Sequence, residues 1–273
     1  MLPILFSIGP VKIYTFGVFL VLAFFWGSFL LWKLIRLTAF KEEDVFDGLF
    51  LSLGFSLLFG RFFYVILNFS DFGFDILKFI LINGYPGFSL YGVLLGGFLG
   101  LFIFCFFKKI KFFSFIDYFI PPLFLALAFG KLGSFFSGAE IGIKTNFFLA
   151  VKYVGFDGLR HLTSFYESLF FFLGSYFSYK ILFLIRKGKF FSGFLFYLFV
   201  WYFSLVYFFF DSMKENRLFF FGFSFNMIVS QLILLTTTVF FLYYFRNQLF
   251  LILRHYVRFF KKIYRRAKEK IRK

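Results

Sequence analysis

Residues 116–142 read IDYFIPPLFLALAFGKLGSFFSGAEIG. Up to Phe129 the stretch is apolar apart from Asp117 and Tyr118. Beyond it, small residues recur at every fourth position (Gly130, Ser134, Gly138, Gly142), with Lys131 among them. An apolar run of this length approaches the roughly 20 helical residues that crossing a hydrocarbon core requires. Asp117 and Pro121-Pro122 interrupt its start, and because proline lacks an N–H and clashes with the preceding turn, a bend is expected there. The four-residue repeat predicts one small face, along which a second backbone or a ligand can come close.

Outside this stretch the composition repeats the message. Hydrophobic residues make up 61% of the 273 positions, and mean hydropathy is +0.87. That is more apolar surface than a water-soluble fold can bury, so the bilayer is the solvent. The abundance of Phe carries no functional weight. Cys105 is the one cysteine, which excludes a disulfide within the chain and a cysteine metal cluster. It sits inside LFIFCFFKK (101–109), where it reads as a small apolar residue. The start, MLPILFSIGPVKIY, lacks a basic segment and a small-residue cleavage pattern, so no cleaved signal peptide is expected. There is no P-loop, zinc-type His pair or nucleophile elbow, and neither a metal nor a cofactor is expected.

The expected fold is an all-α integral membrane protein of about seven transmembrane helices, near 13–35, 45–67, 88–107, 113–136, 163–185, 190–210 and 222–245. Residues 1–245 form the membrane domain and 246–273 a basic tail. Lys33, Arg36 and Lys41 follow the first span, Lys108, Lys109 and Lys111 the third, and Arg186, Lys187 and Lys189 the fifth. Eleven Lys and Arg residues lie from Arg246 onward. The positive-inside rule places these in the cytoplasm and the N-terminus outside, with the longer connections 68–87 and 137–162. A tail of basic and aromatic residues directly after a span reads as a contact with anionic membrane lipids rather than with nucleic acid.

Ionisable residues within spans are expensive, about 2.5–3.5 kcal/mol each at the bilayer centre on insertion scales. Arg61, Asp117, Lys131, Glu167 and Asp211 are such residues, and a polar cavity on which they converge is the expectation. Gly92, Gly96 and Gly100 in YGVLLGGFLG (91–100) form a second small face, for which helix packing is a sufficient reason. Packing does not account for Ser89, Tyr91 or Lys131. A lysine is a compact point charge suited to phosphate, and a phospholipid headgroup is the anion every membrane protein meets. In LRHLTSFYES (159–168), Arg160, His161, Tyr166 and Glu167 cluster where a span begins, and His161 is able to exchange protons near neutral pH.

In this order the pieces resemble the bacterial prolipoprotein diacylglyceryl transferases. FSIGPVKIYTFG (6–17) is similar to that family's opening, and FGRFFYVILNF (59–69) to its Gly-Arg-x-x-Tyr segment, with Arg61 and Tyr64 in place. GFSLYGVLLGGFLG (87–100) resembles its Ser-Phe-His-Gly-Gly stretch. Residues 116–142 resemble its long Asp, Pro and Gly-Arg-x-Gly-Asn-Phe signature, and RHLTSFYE (160–167) its Arg-His-Pro-x-Gln-x-Tyr-Glu. The resemblance implies transfer of the diacylglyceryl group of phosphatidylglycerol to the lipobox cysteine thiol of a prolipoprotein signal peptide, at the outer face of the bacterial cytoplasmic (inner) membrane. Lys131 then occupies the position of a phosphate-binding arginine. Ser134, Gly142, Arg61 and Arg160 line the substrate, and Tyr91 or His161 assists proton transfer.

Several polar positions depart from the family pattern. Tyr91 replaces a histidine, Lys131 an arginine, Ser134 and Ser137 asparagines, and Phe16 a tyrosine. Ala139 replaces a glutamate, with Glu140 beside it. Aligning Asp211 with a family glutamate puts Tyr207 at one arginine position and Lys214 at another. Lysine keeps the charge of arginine but loses its two-pronged grip, and an unperturbed phenol is a poor base at neutral pH. Two alternatives to the enzyme follow: a non-catalytic paralogue binding phospholipid or lipoprotein precursor in the same cavity, and a transporter, for which no internal repeat is found.

Overall fold

The computed structural model describes residues 2–9, 11–82, 84–215, 219, 220, 222–248, 250, 251 and 254. The basic tail from residue 255 onward lies outside the described residues. The chain divides into two compact units, Met1–Phe196 and Tyr197–Lys273.

The first unit opens with an antiparallel hairpin, β1 (Ile4–Ile8) and β2 (Val11–Tyr14), turning at Gly9 with φ +59°. Helix α1 (Thr15–Ile35) follows, then α2 (Glu42–Leu67) and two short helices, α3 (Phe69–Phe72) and α4 (Ile76–Ile80). Next come α5 (Leu90–Lys108), α6 (Phe112–Ile116) and α7 (Ile120–Ser137). A second hairpin, β3 (Ala150–Lys152) and β4 (Leu159–His161), precedes α8 (Thr163–Arg186) and the start of α9 (Phe194–Asp211). In the second unit a third hairpin, β5 (Phe219–Phe220) and β6 (Phe223–Ser224), leads to α10 (Phe225–Tyr244). Seven of these helices (α1, α2, α5, α7, α8, α9 and α10) are long and apolar enough to cross a membrane.

Two packing seams organise the first unit. Along α5, the glycines at 92, 96 and 100 lie on α2: a Cβ on Gly96 would stand 2.3 Å from the Phe55 carbonyl oxygen, and one on Gly92 2.5 Å from that of Phe59. Ser52 on α2 donates to the Gly97 carbonyl across the seam at 2.9 Å. The other seam joins α7 to α1 and α8. Gly133 meets Phe19 of α1, with a Cβ-to-Cβ distance of 2.6 Å if it were alanine. From α8, Ser168 and Ser175 each donate to a carbonyl of α7, those of Ala128 and Pro121, at 2.9 Å. Small residues and hydroxyls replace the hydrophobic effect as the glue between helices whose outer faces meet lipid.

The fourth span is shorter than its sequence implies. Rather than bending, the chain stops at α6 and restarts at α7, with Pro121 and Pro122 in the first turn where a missing N–H is harmless. Asp117 lies in the break. Its carboxylate accepts the N–H groups of Gly193, Leu195 and Phe196, at 2.6, 3.1 and 3.4 Å, so it caps the start of α9 from a distant part of the chain.

The N-terminal hairpin marks one end of the first unit. Leu2 N–H donates to the Phe136 carbonyl, tying the N-terminal hairpin to the end of α7. At the opposite end, Trp32 and Arg36 of the α1 terminus meet Glu42 at the start of α2, Lys108 at the end of α5 pairs with Asp44, and Arg186 at the end of α8 donates to the Leu37 carbonyl. Tyr91 at the start of α5, Lys131 near the end of α7 and His161 before α8 therefore lie toward the end that carries the N-terminal hairpin.

In the second unit, Trp201 Nε1 donates to Thr238 Oγ1 at 2.9 Å, and Tyr197 stacks on Phe240. Asp211, at the end of α9, accepts from Ser224 Oγ and, at 2.9 Å, from Asn226 Nδ2. Lys214 lies with its ammonium 4.7 Å from the centre of the Tyr207 ring.

Candidate functional site

The site is built on two facing helices and the loop between them. On α8 the buried positions Ser164, Glu167, Ser168, Phe171, Ser175 and Ser178 repeat at helical spacing and form the side turned inward. On α7, Phe124, Ala128 and Lys131 do the same. Ser164 and Glu167, one turn apart, thus reach the same lysine neighbourhood.

Lys131 is 5% exposed. Its Nζ lies 2.7 Å from Glu167 Oε2, and 2.7 and 2.8 Å from the two oxygens of Glu140. Ser164 Oγ donates to Glu140 Oε2 at 3.0 Å. The ammonium explains how a fully buried Glu167 is tolerated, since an isolated carboxylate in such a place would be far too costly.

Glu140 reaches this position because α7 stops. Gly138 takes the left-handed conformation, φ +73°, and the Ala139 N–H returns to the Ser134 carbonyl at 3.0 Å. The chain reverses within two residues and brings Glu140 back over the last turn. The four small residues do not form one face: Gly138 ends the helix, and Gly142 lies beyond it. Ser134 is buried on α7.

The connection that follows is folded around β4. Residue 144 bridges to Arg160, and the His161 N–H donates to the Ile143 carbonyl at 3.1 Å. Gly142 is pressed against this strand, where a Cβ would come 2.3 Å from the His161 carbonyl oxygen. Arg160 is buried and donates from Nη1 to the Gly142 carbonyl at 3.0 Å, with its guanidinium 5.1 Å from the centre of the Phe156 ring. The partly buried His161 lies near the rings of Phe147 and Tyr166. Burial pushes the Tyr153 phenol up to about 12, so it stays a neutral hydroxyl and donates to the His161 carbonyl at 3.5 Å.

The structure brings Gly142 against Arg160 and His161 of β4, and Lys131 together with Glu167. Within the first unit it does not gather Arg61 and Asp117 with Lys131 and Glu167. Asp117 caps α9, and Asp211 binds Ser224 and Asn226. Arg61, expected at the substrate, is 3% exposed and donates from Nε to the Phe79 carbonyl (2.9 Å), from Nη1 to that of Gly87 (3.0 Å) and from Nη2 to that of Lys78 (2.7 Å). Its planar fork matches a row of loop carbonyls, those of residues 78, 79 and 87. Tyr91 is partly buried in the first turn of α5, beside the α2 contact made when the Ser89 N–H donates to the Gly60 carbonyl. Glu140 and Ser164 were not among the expected site residues. Glu140 stands beside the position of a family glutamate, but its contact with Lys131, and that of Ser164 with Glu140, depend on the reversal at Gly138.

A family model for prolipoprotein diacylglyceryl transferase matches residues 3–243. The chain belongs to the prolipoprotein diacylglyceryl transferase family. Relatives with the name phosphatidylglycerol–prolipoprotein diacylglyceryl transferase include one from Listeria innocua, 28% identical over 85% of this chain and 85% of its own length. Another, from Clostridioides difficile, is 26% identical over 78% of this chain and 83% of its own. With one from Finegoldia magna the identity is 28%, over 60% of this chain and 65% of the relative. The transferase family match spans all seven long helices of the two units, and Lys131, Glu140, Ser164 and Glu167 lie within it.

Proposed function

We propose that the chain is a divergent phosphatidylglycerol–prolipoprotein diacylglyceryl transferase of the bacterial cytoplasmic membrane, with the end that carries the N-terminal hairpin facing outside. The observation that supports this most directly is a buried lysine held between α7 and α8 inside a family match that covers nearly the whole chain.

The reaction breaks the C–O bond between the glyceryl carbon and phosphate and forms a C–S bond to the lipobox cysteine. The thiol loses its proton, sulfur attacks the carbon, and glycerol phosphate leaves with the bonding electron pair. Such a step needs a cation where charge collects on the departing phosphate, and a group that accepts the thiol proton. In this reading Lys131 supplies the cation, Ser134, Gly142 and Arg160 shape the surrounding wall, and His161 or Tyr91 handles the proton.

The test uses the purified full-length chain with phosphatidylglycerol and a peptide carrying one lipobox cysteine, read by mass spectrometry. A diacylglyceryl mass gain on the thiol is the expected result. No gain, in an assay where an intact relative is active, would replace the enzyme by a lipid- or precursor-binding paralogue.

A further inference from the structure

Lys131 is held by two carboxylates that differ in burial and in the backbone that carries them. Glu167 is fully buried on the regular backbone of α8, whereas Glu140 has a side chain 33% exposed and sits on irregular backbone beyond the left-handed Gly138. Both oxygens of Glu140 face the ammonium, at 2.7 and 2.8 Å, the geometry a phosphate would adopt with two of its oxygens. A phosphate arriving beside Glu140 would place two anions against the same side of the Lys131 ammonium in a water-poor site, where like charges repel far more than in water.

We propose that Glu140 is an internal anion that occupies the phosphate position on Lys131 and is displaced by the incoming headgroup. Glu167 remains as the fixed partner that keeps the lysine oriented. Displacement moves the loop after Gly138, and with it Gly142 and the β4 strand to which Gly142 is packed, so arrival of the phosphate is coupled to the wall that carries Arg160 and His161. This inference rests on the assignment of Lys131 to the headgroup made above.

The test is binding rather than turnover. Full-length chain in phosphatidylcholine nanodiscs is titrated with dihexanoyl phosphatidylglycerol and, separately, with glycerol phosphate. Replacing the competing carboxylate, Glu140→Gln, is expected to tighten binding by about fivefold, with S164A, which removes one hydroxyl holding Glu140, moving the same way by about twofold. Tightening for both probes identifies a general phosphate site, and tightening for the lipid alone a headgroup site that needs the acyl chains. Unchanged or weaker binding of both probes to E140Q, with melting like the wild type, overturns the proposal. If E140Q does not fold, S164A decides in the same way. The double variant K131Q/E167Q removes the cation without stranding Glu167. If it binds the lipid as well as the wild type, the headgroup assignment of Lys131 fails, whatever E140Q does.

Discussion

Helices α5 and α7 both carry small residues at four-residue intervals, and they put them to different uses. On α5 the interval is a packing code. Each of Gly92, Gly96 and Gly100 lies so close to α2 that an added Cβ would meet its backbone at 2.9 Å or less. On α7 the interval is interrupted by the end of the helix. Gly130 faces open space, Gly133 (outside the four-residue series) makes the close contact with α1, Gly138 terminates the helix, and Gly142 supports a strand. The seam is steric and set by spacing alone. The site is electrostatic and depends on where the chain turns.

That contrast is sharpest in how damage should be repaired. Lys131→Ala leaves Glu167 buried against no ammonium, and loss of one member of a buried pair costs about 3–5 kcal/mol. K131A is therefore expected to show the largest fall in thermal stability, and K131Q/E167Q, in which the fully buried Glu167 carboxylate is removed as well and only the partly exposed Glu140 is left, to recover most of it. If the double variant melts as low as K131A, the site is held by shape and the distinction from the α5 seam disappears.

The seam should offer no such rescue. Gly96→Ala sets a methyl 2.3 Å from the Phe55 carbonyl oxygen, a backbone atom that moves only if α2 moves. Overpacking of this kind costs about 1–3 kcal/mol, and trimming neighbouring side chains such as Phe59 should not restore it. A G96A protein that melts like the wild type would mean the two helices separate without penalty.

Gly142→Ala probes the boundary between the two kinds of region, with a methyl 2.3 Å from the His161 carbonyl oxygen. Because β4 lies in a connection rather than between long helices, it can shift, and a smaller loss of about 1 kcal/mol is expected. Its mark should be functional: displacing β4 moves Arg160 and His161, so lipid binding or transfer falls while the helical content by circular dichroism stays unchanged. Unaltered binding and transfer would separate this strand from the site.

These expectations show what the chain discloses to a reader and what it hides. The seven spans are legible because lipid demands long apolar runs, and their observed limits fall within a few residues of the apolar runs except at the start of the fourth. There Asp117 resembles a costly charge within a span. Its meaning appears only when Gly193, Leu195 and Phe196 are seen to donate to it, a contact 76 to 79 residues away in sequence. The partners of Arg61 are hidden for the same reason, since they are carbonyls and every residue type has one. Lys131 is legible as an anomaly, and Glu167 as a second. Glu140 is invisible as a partner because a helix continued through Gly138 would carry it away from Lys131, and only the left-handed turn returns it.

The smallest effect discriminates most finely between the two glycine patterns. Gly130 is within a helix, does not have positive φ, and has no heavy atom within 4 Å of where a Cβ would stand. Alanine there restricts the unfolded chain and adds helix propensity without a clash, so G130A should melt at or slightly above the wild type, by up to about 1 kcal/mol. The same substitution at Gly96 should go the other way, although both glycines sit in equally apolar sequence at the same spacing. Comparing the two melting temperatures therefore separates a glycine required by a neighbour from one that merely falls in register. If G130A is destabilised as much as G96A, then the outward side of α7 is a packing face after all.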